Sequence, residues 1–310
     1  MNVFKKINDF FLKIPYPKVS FSFLPYYVAG IKIENREIDS YFVYPLSENV
    51  LKPSFYDLNI VNPEYLKEIF EKELSKIKSL PKTVSLLLPE HSTRIFLLNF
   101  NLLPPKKEEI EKLIIWKIKK TIHLPEDGIR LAWERIDLKD RIKIIAFIAS
   151  EKVVAQYENF LAEFNLNAGL IESPIFSLFN IIQDKVEGNN LLIDLEKSFL
   201  TILGFNNTDF LIYRVKSISL LDRNDFLKEI DHTLKFLKDK SGIEVNSLIL
   251  RVVNSGDEES LHEILRENFS IPVSIIDPFS TISFSKDLSF QEKQILSPLV
   301  GQTLWRDLNL

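Results

Sequence analysis

No cysteine occurs among the 310 residues, which removes disulfides and thiolate metal sites and fits a reducing compartment. Glycine is also scarce: there are 8, where average usage of about 7% would give roughly 22. Loops that cradle phosphate need glycine, because backbone must approach the ligand closely and with unusual dihedral angles. This chain has few places to build one. No apolar run reaches the roughly 20 residues that span a bilayer. An excess of one charge is lacking too. With 39 basic and 43 acidic residues the formal net charge is −4, which offers nucleic acid no whole-molecule attraction. The four histidines, His91, His123, His232 and His262, show no metal-ligand spacing, and no serine sits in a nucleophile elbow. His91 reads as a solvated loop residue.

What is present is the composition of a globular protein, 45% apolar and 26% charged, in a chain too long for one ordinary core. Two lobes in a cytoplasmic protein are the expectation. Lys5, Lys6, Asp9 and Lys13 interrupt the first 15 residues and exclude a signal peptide. Phe4, Ile7, Phe10, Phe11 and Ile14 recur there at helical spacing. Two readings stay open for that stretch: a helix docked on its own protein, or one lying on a membrane surface.

Further along, Tyr26–Ile33 and Glu37–Val43 read as strands around a tight turn at Glu34-Asn35-Arg36. A helix begins at Pro63 with Asn62 as N-cap. Short apolar strands follow at Thr83–Leu88 and Arg94–Phe100, then a helix over Lys107–Ile122. Strands at Ile129–Ile136 and Lys143–Ala149 precede a helix with the stripe Val153, Val154, Tyr157, Phe160, Leu161, Phe164. After a short strand at Gly169–Ile171, the helix from Ser173-Pro174 is apolar almost all round, which implies burial between layers. A polar stretch at Asp184–Asn190 reads as a hinge. Beyond it come three strands (Leu191–Leu195, Leu200–Phe205, Phe210–Val215), a helix striped by Phe226, Leu227, Ile230, Leu234 and Leu237, and a strand at Leu248–Val253.

The hairpin at Ile31–Tyr41 resembles the one at Ile193–Thr201, with Ile31-Lys32-Ile33-Glu34 lying over Ile193-Asp194-Leu195-Glu196. Duplicated lobes that open on a hairpin resemble the actin-like ATPase fold. The run Glu111 to Pro125, with Trp116 on a helix entering a His-Leu-Pro turn, resembles PilM-type pilus-assembly proteins. So, in the same order, do Ile144–Phe164, Gly169-Leu-Ile-Glu-Ser-Pro174, the hairpin from Leu191, Ile271-Pro272-Val273, Asp277-Pro278-Phe279 and the Gly301 region. The resemblance covers roughly residues 26–305. It implies an α/β protein with a two-lobed actin-like fold related to the cell-division protein FtsA. The first lobe would be residues 1–185 with an inserted subdomain at about 84–150, and the second lobe residues 186–310. It also implies a cytoplasmic protein peripheral to the inner membrane, gripping a short N-terminal peptide of a PilN-like membrane protein. The cytoplasmic domain of the type II secretion protein GspL is the close structural analogue. Homo-oligomerisation stays open, with the Leu- and Asn-containing tail Asp307–Leu310 as a candidate for a neighbouring copy's groove.

The same resemblance implies nucleotide between the lobes, held by two turns that each carry a strand-end Asp followed two residues later by Gly. Here Lys32 and Glu34 stand at those places in the first turn, Asp194 and Glu196 in the second, and the adenosine-side glycine pair is reduced to Ser255-Gly256-Asp257. Two carboxylates facing a polyphosphate at 4–5 Å each cost roughly 3–4 kcal/mol at an effective dielectric near 20. The expectation is therefore a non-catalytic adaptor without cofactor, in which Glu34 and Glu196 are solvated turn residues. The alternatives are an ATPase of the same fold that binds Mg-ATP, and a GspL-like cytoplasmic domain of a type II secretion system. Trp116 falls on the far side of its helix from Ile110, Leu113, Ile114 and Ile118. It is either buried on a second face, or, with Ile115, it contacts a partner. The expected partner groove combines that helix with the strands Thr83–Leu88 and Arg94–Phe100, where alternate pockets and free backbone groups would hold an extended peptide.

Overall fold

A computed structural model describes residues 17–304 apart from 208, 219–222, 254–257, 281 and 285–286. The expected N-terminal helix, the turn with Gly256 and the tail from Asp307 lie outside the described residues. Strands β1 (Val19–Leu24), β2 (Tyr27–Glu34), β3 (Glu37–Pro45), β4 (Thr83–Leu87) and β8 (Asn167–Glu172) form the first sheet, in the order β3-β2-β1-β4-β8. The second sheet contains β9 (Asn189–Glu196), β10 (Phe199–Asn206), β11 (Asp209–Ser217), β12 (Ser247–Val253) and β13 (Val273–Ile275), in the order β11-β10-β9-β12-β13. In each, three antiparallel strands are followed by two parallel ones. The two sheets are therefore one topology used twice. A third, three-stranded sheet of β5 (Thr93–Phe100), β6 (Ile129–Asp137) and β7 (Ile142–Ser150), in the order β5-β7-β6, is inserted between β4 and β8.

Helix α1 (Pro63–Leu74) starts where Asn62 accepts a hydrogen bond from the Tyr65 N–H, with Pro63 in the first turn, as expected. Helix α3 (Glu151–Ala162) buries Val153, Val154, Tyr157, Phe160 and Leu161 of the expected stripe, and Phe164, beyond its end, packs half-buried on the same core. Both helices pack on the first sheet, where Phe23 meets Phe70 at 5.3 Å and Phe160 at 5.5 Å between ring centroids. On the sheet's other face lies α7 (Phe290–Thr303), which also crosses α4 (Pro174–Ile182). The alternation of β1, Val-Ser-Phe-Ser-Phe-Leu, explains both packings: the aromatics face α1 and α3, and Ser20 donates to Gln302 of α7. The sequence reading missed this strand, because its serines weaken the apolar signal. Helices α5 (Arg223–Ser241) and α6 (Glu258–Asn268) accompany the second sheet. Helix α2 (Lys107–Lys119) covers one face of the small sheet, with Ile110, Ile114 and Ile118 against Ile144, Ala146 and Ile148 of β7.

Candidate functional site

The matching strand orders make β1 the counterpart of β9 and β2 the counterpart of β10. The first-lobe turn equivalent to Lys197-Ser198 is thus Pro25-Tyr26, between the paired residues Leu24 and Tyr27. By the same count Ser22 stands where Asp194 does, and Leu24 where Glu196 does. This corrects the alignment drawn from the sequence by one strand. Lys32 and Glu34 belong to the β2–β3 hairpin, whose two-residue turn has both Asn35 and Arg36 at positive φ, 51° and 63°. There Lys32 lies 3.5 Å from both Glu34 and Asp39, and Lys18 is 3.5 Å from Glu34. Neither Lys32 nor Glu34 lines the small cavity between the lobes, whereas Leu24, Asp194 and Glu196 do.

Arg251, in the middle of β12, has no exposed surface and fills the place between the turns. Its Nη1 donates to Asp194 Oδ1 at 2.7 Å and Glu196 Oε1 at 3.0 Å, and its Nη2 donates to Tyr27 Oη at 2.9 Å. Its Nε donates to the Gln294 carbonyl of α7 at 2.7 Å. Tyr27 in turn donates to Glu196 at 3.3 Å. Glu196 is therefore not the solvated turn residue expected, but a buried ion-pair partner. Asp194 sits beside Arg251 because β9 and β12 are parallel in that register. Burial raises both carboxyl groups above their ordinary range, against the pull of the guanidinium. Burial also opposes the charge of Arg251, but Asp194, Tyr27 and Glu196 outweigh it and hold its pKa above the usual value. The guanidinium ties a first-lobe hairpin, a second-lobe hairpin and the last helix into one cluster.

A second cluster closes the cleft from the side. Glu90, just after β4, accepts from the Ile175 N–H at 2.9 Å, from Tyr213 Oη at 2.7 Å and from Ser173 Oγ. Burial raises its pKa to about 7 even though all three donors favour the ionised form. His91 is half-buried rather than solvated: its ring lies 3.8 Å from that of Phe199, and burial lowers its pKa to about 4. The space left between Leu24, Pro89, Glu90, Asp194, Glu196 and Thr201 is about 10 Å³, roughly one water. Small-molecule sites measure about 300–1,000 Å³. The residues present do not fit a nucleotide: the carboxylate that would meet metal is paired with Arg251, and neither turn contains glycine. Among the described residues no group of acidic or histidine side chains could hold a metal ion.

Among the described residues larger open hollows of about 750 and 380 Å³ lie between β5 and β11 and beside α3. A groove of about 190 Å³ lies elsewhere. Its walls are Ala132, Trp133 and Glu134 of β6, Ile145 and Phe147 of β7, Ile171 and Glu172 of β8, Phe176, Phe179 and Asn180 of α4, and Phe210. It thus lies where the small sheet meets the first lobe. The strands β6 and β8 that flank it are each the outermost of their sheets. The materials differ from those expected. Strand β4 is interior to its sheet, paired with β1 and β8, and has no free edge. Helix α2 covers the opposite face of the small sheet, so Ile115 and Trp116 are not in the groove. Trp116 is 53% exposed, with Lys120 Nζ 3.4 Å from its ring centroid. The sequence clue that was overlooked is Arg251 itself, a charge inside the apolar run Leu248–Val253 that needs a buried partner.

No family model matches the chain, and no curated protein does. Among solved structures, the PilM-PilN type IV pilus biogenesis complex superposes with a TM-score of 0.78 at 12% identity, over 94% of this chain and 97% of that one. A Bacteroides thetaiotaomicron protein described as having an actin-like ATPase fold and unknown function matches with a TM-score of 0.55 at 15% identity, over 96% and 99% of the chains. The ethanolamine utilization protein EutJ from Carboxydothermus hydrogenoformans matches with a TM-score of 0.50 at 7% identity, over 94% and 91%. At these identities the likeness is one of fold. The chain has the two-lobed actin-like ATPase fold with an inserted subdomain in the first lobe.

Proposed function

We propose that this chain is a scaffold of a type IV pilus or related secretion platform, seated at the cytoplasmic face of an inner membrane. It holds a short extended segment of a PilN-like membrane protein in the groove between the small sheet and the first lobe, and it turns over no nucleotide. The observation that carries this reading is the groove itself: an apolar trough between β6 and β8, each with one sheet edge unpaired among the described residues. An extended peptide needs both, pockets for alternate side chains and backbone groups for hydrogen bonds. The fold likeness to the PilM-PilN complex supports the same assignment. No described helix is long and apolar enough to cross a membrane, so the link to the membrane is assigned to the partner.

The test is fluorescence anisotropy with labelled ten-residue peptides rich in Leu, Ile and Asn. Wild-type protein binds them. Ala132→Trp, which fills the groove from an exposed position on β6, abolishes binding while the fold persists. Trp116→Ala, on the far face of the small sheet, leaves binding unchanged. Equal binding by the Ala132→Trp variant, or none by wild type, rejects the reading.

A further inference from the structure

We propose that the groove selects a segment carrying an arginine or lysine, whose cationic head is received by Glu172; this rests on the groove being the peptide site. The walls are dominated by Ile145, Phe147, Phe176, Phe179 and Phe210, which offer a polar side chain nothing. Besides Ser173 and Asn180, which donate to Glu90 and to the Gly301 carbonyl, two carboxylates, Glu134 and Glu172, interrupt that surface, and no basic residue lines it. Glu172 stands at the end of β8, next to the outer edge along which an extended peptide would run. Its Oε2 accepts from Ser177 Oγ at 2.8 Å, and among the described residues it has no ion-pair partner.

Its surroundings are set against ionisation. Burial raises the carboxyl pKa to about 7, and the Glu90 carboxylate adds to the rise despite the Ser177 donor. A half-buried carboxyl with one hydroxyl donor and a like charge behind it is an incomplete pair. Among the described residues the other buried carboxylates are completed internally: Asp194 and Glu196 by Arg251, Glu73 by Lys76, Glu90 by three donors. At Glu172 the missing donor has to enter with the ligand. A long basic side chain suits the place, because its methylene stem covers apolar wall while its head reaches the carboxylate.

The probe is the Leu/Ile/Asn host peptide with a single arginine walked through its ten positions, each compared with a citrulline peptide that keeps the shape and removes the charge. At one position arginine binds roughly tenfold tighter than citrulline, the order expected of a charge-assisted hydrogen bond. In Glu172→Gln, checked by circular dichroism for an unchanged fold, that ratio falls to about one. Glu34→Gln, outside the groove, leaves it intact. A ratio near one at every position in wild type, or a tenfold ratio retained in Glu172→Gln, overturns the inference while peptide binding itself stands. Absence of binding by every peptide overturns the groove assignment along with it.

Discussion

Arg251 gives up all contact with water and recovers it through Asp194, Glu196, Tyr27 and the Gln294 carbonyl. Removing one partner of such a cluster is costly, because the others stay buried without a counter-charge. Arg251→Met should lower the unfolding free energy in urea by about 3–5 kcal/mol. The triple variant Arg251→Met, Asp194→Asn, Glu196→Gln should recover part of that loss. A single-variant loss below about 1 kcal/mol would mean that the cluster is not what joins the turns. Glu90 allows a test by pH. Its folded pKa of about 7 lies above the ordinary carboxylate value, so its contribution is fully present at low pH and is lost as the pH rises towards 7. Glu172 behaves in the same direction. The contributions of Glu90 and Glu172 should therefore fall between about pH 4.5 and 7, by up to roughly 1.4 kcal/mol per pH unit for each group, while that of His91, whose pKa is lowered to about 4, rises up to about pH 6.5. Against wild type, Glu90→Gln should lose the Glu90 share of the falling slope, up to roughly 1.4 kcal/mol per pH unit; a slope equal to wild type would show that Glu90 is ionised throughout. Of these residues the sequence reading named Asp194 and Glu196 but neither their burial nor their partner. The pairing depends on the parallel register of two strands 57 positions apart, which no local pattern encodes.

At the level of elements, helices were the most legible part, since a 3.6-residue stripe is a local property: the Asn62-Pro63 start of α1 stands as read, and so does the α3 stripe up to Leu161, with Phe164 falling past the helix end. Strand β1 escaped, and with it the correct pairing of the two lobes' hairpins, which moved Lys32 and Glu34 away from the cleft. The all-round apolar α4 was rightly expected between layers, but the sequence did not show what lies against it. That neighbour is α7, at such close approach that a Cβ on Gly301 would lie 1.7 Å from the Ser177 carbonyl oxygen. Gly301→Ala must push two helix backbones apart and should cost about 1–3 kcal/mol or more, visible as a lower thermal midpoint. A midpoint equal to wild type would show that α4 and α7 can separate without loss. The hollow where the small sheet meets the first lobe is walled by β6, β8 and α4 rather than by the strands and helix expected, because these elements converge only through the insertion of the small sheet.

At the scale of the molecule, one sheet topology occurs twice, and the space where the two copies face each other is closed by the chain's own side chains. The scarcity of glycine was legible as a shortage of phosphate-binding loops; the side chain that takes their place was not. The filled junction between the lobes and the open groove at the small sheet are the two features on which the proposed scaffold role rests. The most direct measurement of this account is a calorimetric titration of the purified protein with Mg-ATP. With Arg251 seated between Asp194 and Glu196, no binding tighter than about millimolar, roughly 4 kcal/mol, is expected. A micromolar dissociation constant, or nucleotide carried through purification, would contradict it.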